Sequence, residues 1–505
     1  MPTIDSVLAR AAHAAPHRLA IREWDSKRHL TYAQFDAAVS SLAGWLHSKG
    51  LNVGASIGIH LPNGADFLIA QFAAFRCGGV AAYINYRLAA AEAIRQLRLC
   101  GARAIVTTAA KAKTLRDHPG LDDLIFIIAD GGLALGHALT EILVGGSHFQ
   151  PPEGLEDADA IARFTSGSTG APKGLLVTHR AWLVRAVSIL AEEIQIAPHS
   201  TTLVAGPLSH QAGLFALPTF LRHGTMLIVD GFGVDKMAAI LGSEKIGCAQ
   251  LVPTIMHFVL ENASSREALR TSGVSRVIYG GSPIRRSVLD EALQMLPDTE
   301  FIQVYGSHEA GSISYLDGAA HRDPQVRTSA GRPLLAAEVR LRRLGDDALG
   351  EIEVKAPWKP HARLTEQGRV ADTNEWAPTG DIGEIKGGFI YLRDRLNDVI
   401  ISGGFNVYPL EVEAVIDTFP AIAGSVVVSA PDDRWGERVI AYVVPRDASG
   451  FDETALNEHC RKRLANYKVP KEFRAIQQIP VNVNGKPDRR KLSQPMWEGR
   501  DRRIN

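Results

Sequence analysis

The order of hydrophobic patterns along the chain predicts an α/β fold: a large N-terminal domain of parallel or mixed sheets covered by helices, then a small α+β domain. Three observations carry this expectation. Strand-like and helix-like segments alternate through the first third, and the alternation resumes in the middle. From about residue 335 the texture turns β-rich, and it ends in a compact mixture of helices and strands.

In the first third, Tyr32, Phe35, Val39, Leu42 and Leu46 fall three and four residues apart, and Gly50 follows them. That spacing makes one apolar face on a helix, with glycine as a stop signal. "SIGIHL" reads as a strand, "ADFLIAQFAAFRCGG" as a helix closed by glycines, and "VAAYIN" as a strand. A helix from Ala89 and the strand "ARAIVTT" follow. Repeated strand–helix units of this length predict parallel pairing with helical crossovers.

The middle carries "TTLVAGPL", "GTMLIVD", "CAQLVP" and "SRVIYGGSP", each a short apolar run ending in turn residues. Ligand sites in such sheets gather beyond the carboxyl ends of the strands. Further on come "AEVRLRRL", "GEIEVKA" and "GFIYLRDR", then helix "PLEVEAVIDTF", strands "GSVVVSA" and "RVIAYVV", and a helix through "LNEHCRKRL". The boundary falls between residues 393 and 398, giving domains 1–395 and 396–505.

Composition narrows the function classes. A 505-residue chain is too long for one ordinary core. Hydrophobic residues make up 46% and charged residues 22%, and 55 basic side chains balance 55 acidic ones. No overall basic field invites nucleic acid. Cys77, Cys100, Cys248 and Cys460 are widely spaced and read as reduced, mostly buried thiols. The N-terminus lacks the uninterrupted apolar core of a secretory signal, and no run approaches the ~18 residues of a membrane span. The expected setting is cytoplasmic.

The motif that opens the functional argument is "FTSGSTGAPKGLLVTH", Phe164 to His179. It is no Walker loop, in which lysine directly follows the second glycine and Ser or Thr follows the lysine. Here Lys173 precedes Gly174, and Leu175 comes next. Thr165, Ser166, Ser168 and Thr169 supply hydroxyls. Gly167, Gly170 and Gly174 free the backbone to wrap around an oxyanion, and Lys173 adds positive charge.

This stretch resembles the signature [YF]-T-S-G-[ST]-T-G-x-P-K-G of the AMP-forming adenylating enzyme superfamily, which contains acyl- and aryl-CoA synthetases. "LTYAQF", "IHLPNGADFL", "GPLSHQAG", "VYGSHEAG", "APTGDIG", "RLNDVIISGGFNVYPLEVE" and "PVNVNGKPDRRKL" resemble its other elements, in the family's order. The resemblance covers nearly the whole chain. It implies a multi-subdomain adenylating-enzyme fold with a small mobile C-terminal domain.

The resemblance also implies a set of site residues. Residues Thr165 to Gly174 would hold the β- and γ-phosphates of ATP, which leave as pyrophosphate. Tyr305 and Gly306 would meet adenine, with Gly281, Ser282 and Pro283 framing the base. Asp381 would accept hydrogen bonds from the ribose, assisted by Arg395, and Glu309 would hold Mg²⁺ through carboxylate oxygen. Lys486, in a P-x-x-x-x-G-K frame, would bridge the substrate carboxylate and the α-phosphate. His210, Gly281 and His308 would border the acyl substrate. Asp398 would be the hinge about which the small domain turns. Gly403 and Gly404, with Arg87 and Trp435, would meet coenzyme A.

Three positions depart from the family pattern. His308 stands where threonine is usual, Asp394 where glycine is usual, and Phe405 where glutamate is frequent. His308 is expected to keep a phosphate contact.

The reading is an ATP-dependent carboxylic acid:CoA ligase that forms an acyl-adenylate and releases AMP and pyrophosphate. Its expected partners are a small carboxylic acid and coenzyme A, without nucleic acid, and a homodimer is left open. The alternatives are an adenylation enzyme loading a separate carrier protein and a non-catalytic homologue that binds nucleotide or acyl ligand. No carrier segment is expected within this chain. A γ-phosphoryl-transferring kinase is disfavoured by the absent Walker arrangement.

Overall fold

A computed structural model describes residues 2–498 apart from 120, 122, 132, 147–148, 167–171, 283, 344–347, 448–449 and 482–486, with backbone only at 133, 166 and 172. The helix expected from the Tyr32 periodicity spans Tyr32–Ser48. Thr31 and Gln34 close its first turn as a reciprocal capping box. Gly50, with φ of 73°, follows its end in the left-handed conformation that glycine tolerates best. The helices Ala65–Arg76 and Ala90–Leu99 also form where the sequence places them.

Among the described residues, strands assemble into two nine-stranded mixed sheets and two smaller sheets. The first large sheet runs Gly368–Ala371, Ala362–Thr365, Pro172–Thr178, Asp159–Ser166, Val80–Tyr83, Ser56–His60, Ala104–Thr107, Ile125–Ile128, His137–Ala138. The second runs Arg332–Pro333, Gly311–Leu316, Glu300–Ser307, Arg276–Gly280, Cys248–Leu251, Thr201–Val204, Thr225–Ile228, Leu19–Glu23, His29–Thr31. The α/β expectation therefore holds. Strand Leu19–Glu23 pairs in parallel with Thr225–Ile228, a connection that local pattern cannot reveal.

Crossover helices of the two sheets meet through aromatic rings. Phe72, on Ala65–Arg76, lies 5.9 Å from Phe220 on Ala216–Leu221, and Phe35 contacts both. The edge-to-face pairs Phe35–Phe72 and Phe72–Phe220 each add about 0.5–1.5 kcal/mol to their burial. Arg76 threads this region and pairs with Asp5 at 2.9 Å and Asp36 at 2.5 Å.

Contacts divide the chain into two compact units, residues 1–339 with 354–377, and residues 340–353 with 378–505. The second contains a core of Ile400, Val412, Ile416, Val427, Val439 and Leu456 packed beneath the long hairpin Ile422–Asp432 and Gly436–Pro445. Cys77, Cys248 and Cys460 are buried and Cys100 is half-buried, all unpaired with one another. Among the described residues no helix is long and apolar enough to cross a membrane.

Candidate functional site

The Ser/Thr/Gly-rich segment begins and ends in two paired antiparallel strands. Asp159–Ser166 and Pro172–Thr178 pair up to Thr165 with Lys173 and Ser166 with Pro172. A Walker loop joins a strand to a helix, so this phosphate-loop candidate has a different architecture as well as a different sequence. Gly167, Ser168, Thr169 and Gly170 lie outside the described residues. Gly174 does not belong to the wrapping backbone. It sits in the strand opposite Phe164, and a Cβ there would come within 2.9 Å of Leu364 Cβ. Its missing side chain lets the neighbouring strand Ala362–Thr365 approach.

Strand ends gather several other candidates. Arg276–Gly280 ends at Gly281, whose φ of 83° turns the chain toward Ser282. Pro283 lies outside the described residues. Tyr305 and Gly306 sit near the end of Glu300–Ser307, at a register shift. Tyr305 is 9% exposed, so packing fixes most of its ring. The following turn carries His308 and Glu309, and Ser307 Oγ accepts the Ala310 backbone N–H at 3.0 Å to close it.

His308 meets His210 from a separate loop, with ring centroids 5.8 Å apart and planes tilted by 53°. Ser209 Oγ and His210 Nδ1 share a 2.8 Å hydrogen bond. Asn63, from the "LPNGADF" segment, braces this loop. Its amide donates to Gly206 O at 2.9 Å and to Val229 O at 3.1 Å, and its oxygen accepts Leu208 N–H at 2.9 Å. Sequence reasoning missed Asn63, although the motif containing it was visible. Arg87 lines a cavity of about 60 Å³ together with Asn63, Asn85 and Ser209.

Glu309 offers a hard carboxylate donor from its turn. Among the described residues no three His, Cys, Asp or Glu side chains converge as a metal cluster. One carboxylate fits Mg²⁺, which commonly takes one or two protein oxygens and completes its octahedron with phosphate and water. The buried Arg163, beside Tyr83 in the sheet, feels the Glu309 charge. Burial pulls its guanidinium below the usual value, and the Tyr83 and Glu309 charges oppose that shift.

The second unit presents a different group. Asp381 and Arg395 are directly paired across neighbouring strands, with Arg395 Nε 3.3 Å from Asp381 Oδ1. Thr379 Oγ1 accepts the Asp381 N–H at 3.1 Å and donates to Ile352 O at 2.8 Å. Gly380, with φ of 74°, donates its N–H to Glu351. These bonds hold the 8%-exposed Asp381 in one place.

Asp394 has a structural task. Its carboxylate accepts the Arg395 N–H at 2.7 Å and the Leu410 N–H at 2.8 Å, placing negative charge at the start of helix Pro409–Ile416. Burial raises its pKa to about 6 despite those bonds and the nearby Arg489.

Asp398 lies in a short 3₁₀ turn, 3.6 Å from Arg489 Nε. Arg489 also forks onto Glu413 and donates to Val427 O at 2.8 Å. Lys486 lies outside the described residues. The bridge between Val481 and Pro487 and the bond from Asp488 N to Pro480 O fasten the residues that flank it.

Gly403 and Gly404 form a two-residue hairpin loop with φ of 60° and 81°. Both positive angles match the turn type that joins twisted strands. Gly403 N–H donates to Trp435 O at 2.8 Å, and a Cβ on Gly403 would reach 2.7 Å from the Trp435 ring. Phe405 stacks on Tyr467 at 4.7 Å, which gives that departure a packing partner.

Residues 8–358 match the model for AMP-binding enzymes, and residues 411–486 match that for the AMP-binding enzyme C-terminal domain. A feruloyl-CoA synthase from Amycolatopsis is 32% identical over 496 residues, covering 94% of this chain and 96% of the relative. A long-chain-fatty-acid–CoA ligase from Mycobacterium tuberculosis is 31% identical, covering 96% of this chain and 97% of the relative. The solved structure of an O-succinylbenzoate coenzyme A synthetase from Bacillus subtilis, in complex with ATP and magnesium ion, superposes with a TM-score of 0.81 at 27% identity. That match covers 96% of this chain and 98% of the other.

Proposed function

The chain belongs to the AMP-binding enzyme family, and on that premise we propose that it joins a small carboxylic acid to coenzyme A with ATP. It is an AMP-forming acid–thiol ligase. A carboxylate oxygen attacks the α-phosphorus of ATP, the bond to the β-phosphate bridging oxygen breaks, and pyrophosphate leaves. The coenzyme A thiol then loses its proton and attacks the acyl carbon, expelling AMP and leaving a thioester.

Bringing two anions together is the first obstacle, so positioning and charge stabilisation carry most of the work. Thr165, Ser166, Lys173 and the intervening residues hold the departing phosphates. Tyr305, Gly306, Gly281, Ser282 and Pro283 receive adenine, and Asp381 with Arg395 receives the ribose. Glu309 would hold Mg²⁺, which supplies charge neutralisation at the phosphate oxygens when bound. His210 and His308 border the reacting carboxylate, and Lys486 neutralises charge as the new bond forms.

The second half-reaction uses Gly403, Gly404 and Trp435, with Arg87 toward the coenzyme A nucleotide. Asp398 is the pivot between the two half-reactions, and 395/396 is the working boundary. The Asp381–Arg395 pair carries this reading furthest, because two residues drawn from separate motifs meet at 3.3 Å. Release of AMP and pyrophosphate that requires an acid, with thioester appearing only when coenzyme A is added, tests it. Thioester on a carrier protein but never on free coenzyme A would instead make the chain a carrier-loading enzyme.

A further inference from the structure

Strand Cys248–Leu251 divides its side chains between two faces, as any strand does. Ala249 and Leu251 enter the core that also holds Leu203, Val277 and Tyr279. Gln250 therefore points to the opposite face, between Val204 and Ile278 on the neighbouring strands. It is 1% exposed, and neither its Oε1 nor its Nε2 has a hydrogen-bond partner.

Glycines follow on both strands that flank this amide. Two residues beyond Val204 comes Gly206, and two beyond Ile278 comes Gly280. A Cβ on Gly206 would lie 3.0 Å from Gln250 Oε1 and 3.3 Å from Ala212 Cβ. A Cβ on Gly280 would clash with the Val304 carbonyl oxygen at 2.2 Å and would lie 2.9 Å from Gln211 Nε2. The amide thus faces the loop that carries His210 and lies on the strand beside the one that ends in the Gly280–Ser282 turn. Both belong to the candidate acyl site.

A buried amide with no partner forfeits its bonds to water and regains nothing, whereas leucine in its place would incur no such loss. We propose that Gln250 is a specificity-determining residue that hydrogen-bonds a hydroxyl on the acyl portion of the carboxylic acid. This rests on the adenylation reading of the same site. A hydroxyl satisfies both halves of the amide, accepting from Nε2 and donating to Oε1. A plain hydrocarbon satisfies neither, and sites built to bond a polar substituent reject analogues that lack it.

The test measures acid-dependent pyrophosphate release for matched acids: 4-hydroxycinnamate against cinnamate, and 10-hydroxydecanoate against decanoate. In the wild type, kcat/KM is expected to favour the hydroxylated member of at least one pair by about tenfold or more. Gln250→Leu should abolish that preference mainly through KM, while its melting temperature stays level or rises. Equal use of both members by the wild type, or a preference that survives Gln250→Leu, overturns the inference and leaves the ligase reading standing. Absence of pyrophosphate release with every acid, including the relatives' ferulate and long-chain fatty acids, overturns both.

Discussion

His210 and His308 come from loops far apart in sequence, yet their rings sit 5.8 Å apart. This contact brings together two candidates from separate motifs, and His308 is proposed to take over the phosphate contact of the usual threonine. His308→Ala should slow pyrophosphate exchange into ATP by roughly ten- to a hundredfold, with little change in melting temperature. An unchanged rate with altered preference among acids would place His308 in the acyl pocket alone.

The Asp381 carboxylate is paired with Arg395, and the Thr379 hydroxyl accepts the Asp381 backbone N–H. Asp381→Asn should raise the KM for ATP by about ten- to a hundredfold, the range expected when a charge-assisted bond becomes a neutral one. Arg395→Ala should have a smaller effect, because its side chain is 60% exposed. Steady-state kinetics at saturating acid measure both. An unchanged ATP requirement in Asp381→Asn would remove this residue from nucleotide binding.

Gly403 is constrained twice, by a φ of 60° and by the Trp435 ring. Gly403→Ala should lower stability by about 1–3 kcal/mol. It should also slow conversion of supplied acyl-adenylate and coenzyme A to thioester more than it slows adenylation. Equal loss in both steps would mark the hairpin as structural only.

The legible parts were those written in short-range pattern. The Tyr32 periodicity and the strand–glycine ends of the middle sheet each placed an element. The ordered motifs brought Asp381 and Arg395 forward before any pairing was visible. The hidden parts depend on contacts between distant segments. Gly174 looked like part of a phosphate loop, but its missing Cβ answers to Leu364. Asn63, Asp394 and Arg489 act by bracing loops and helix starts through hydrogen bonds that no spacing rule encodes. Gln250 resembles an ordinary strand residue until its buried amide is found without a partner.

Asp394 makes a pH prediction. Its carboxyl is raised from 3.8 to about 6, mainly by burial. The folded state therefore holds its proton more tightly than the unfolded state. The stabilising contribution is full below the unfolded value and is lost as pH rises through about 6. Asp394→Asn should gain up to about 3 kcal/mol relative to the wild type between pH 4 and pH 7. Urea unfolding across that range measures the difference. A gap between the two proteins that does not change with pH would contradict the assignment.

The most direct test of the central claim separates the two half-reactions in Lys486→Ala. The account predicts that acid-dependent pyrophosphate exchange falls by about two to three decades, while supplied acyl-adenylate and coenzyme A still yield thioester at a rate close to wild type. Equal damage to both steps, or full adenylation without the lysine, would contradict it.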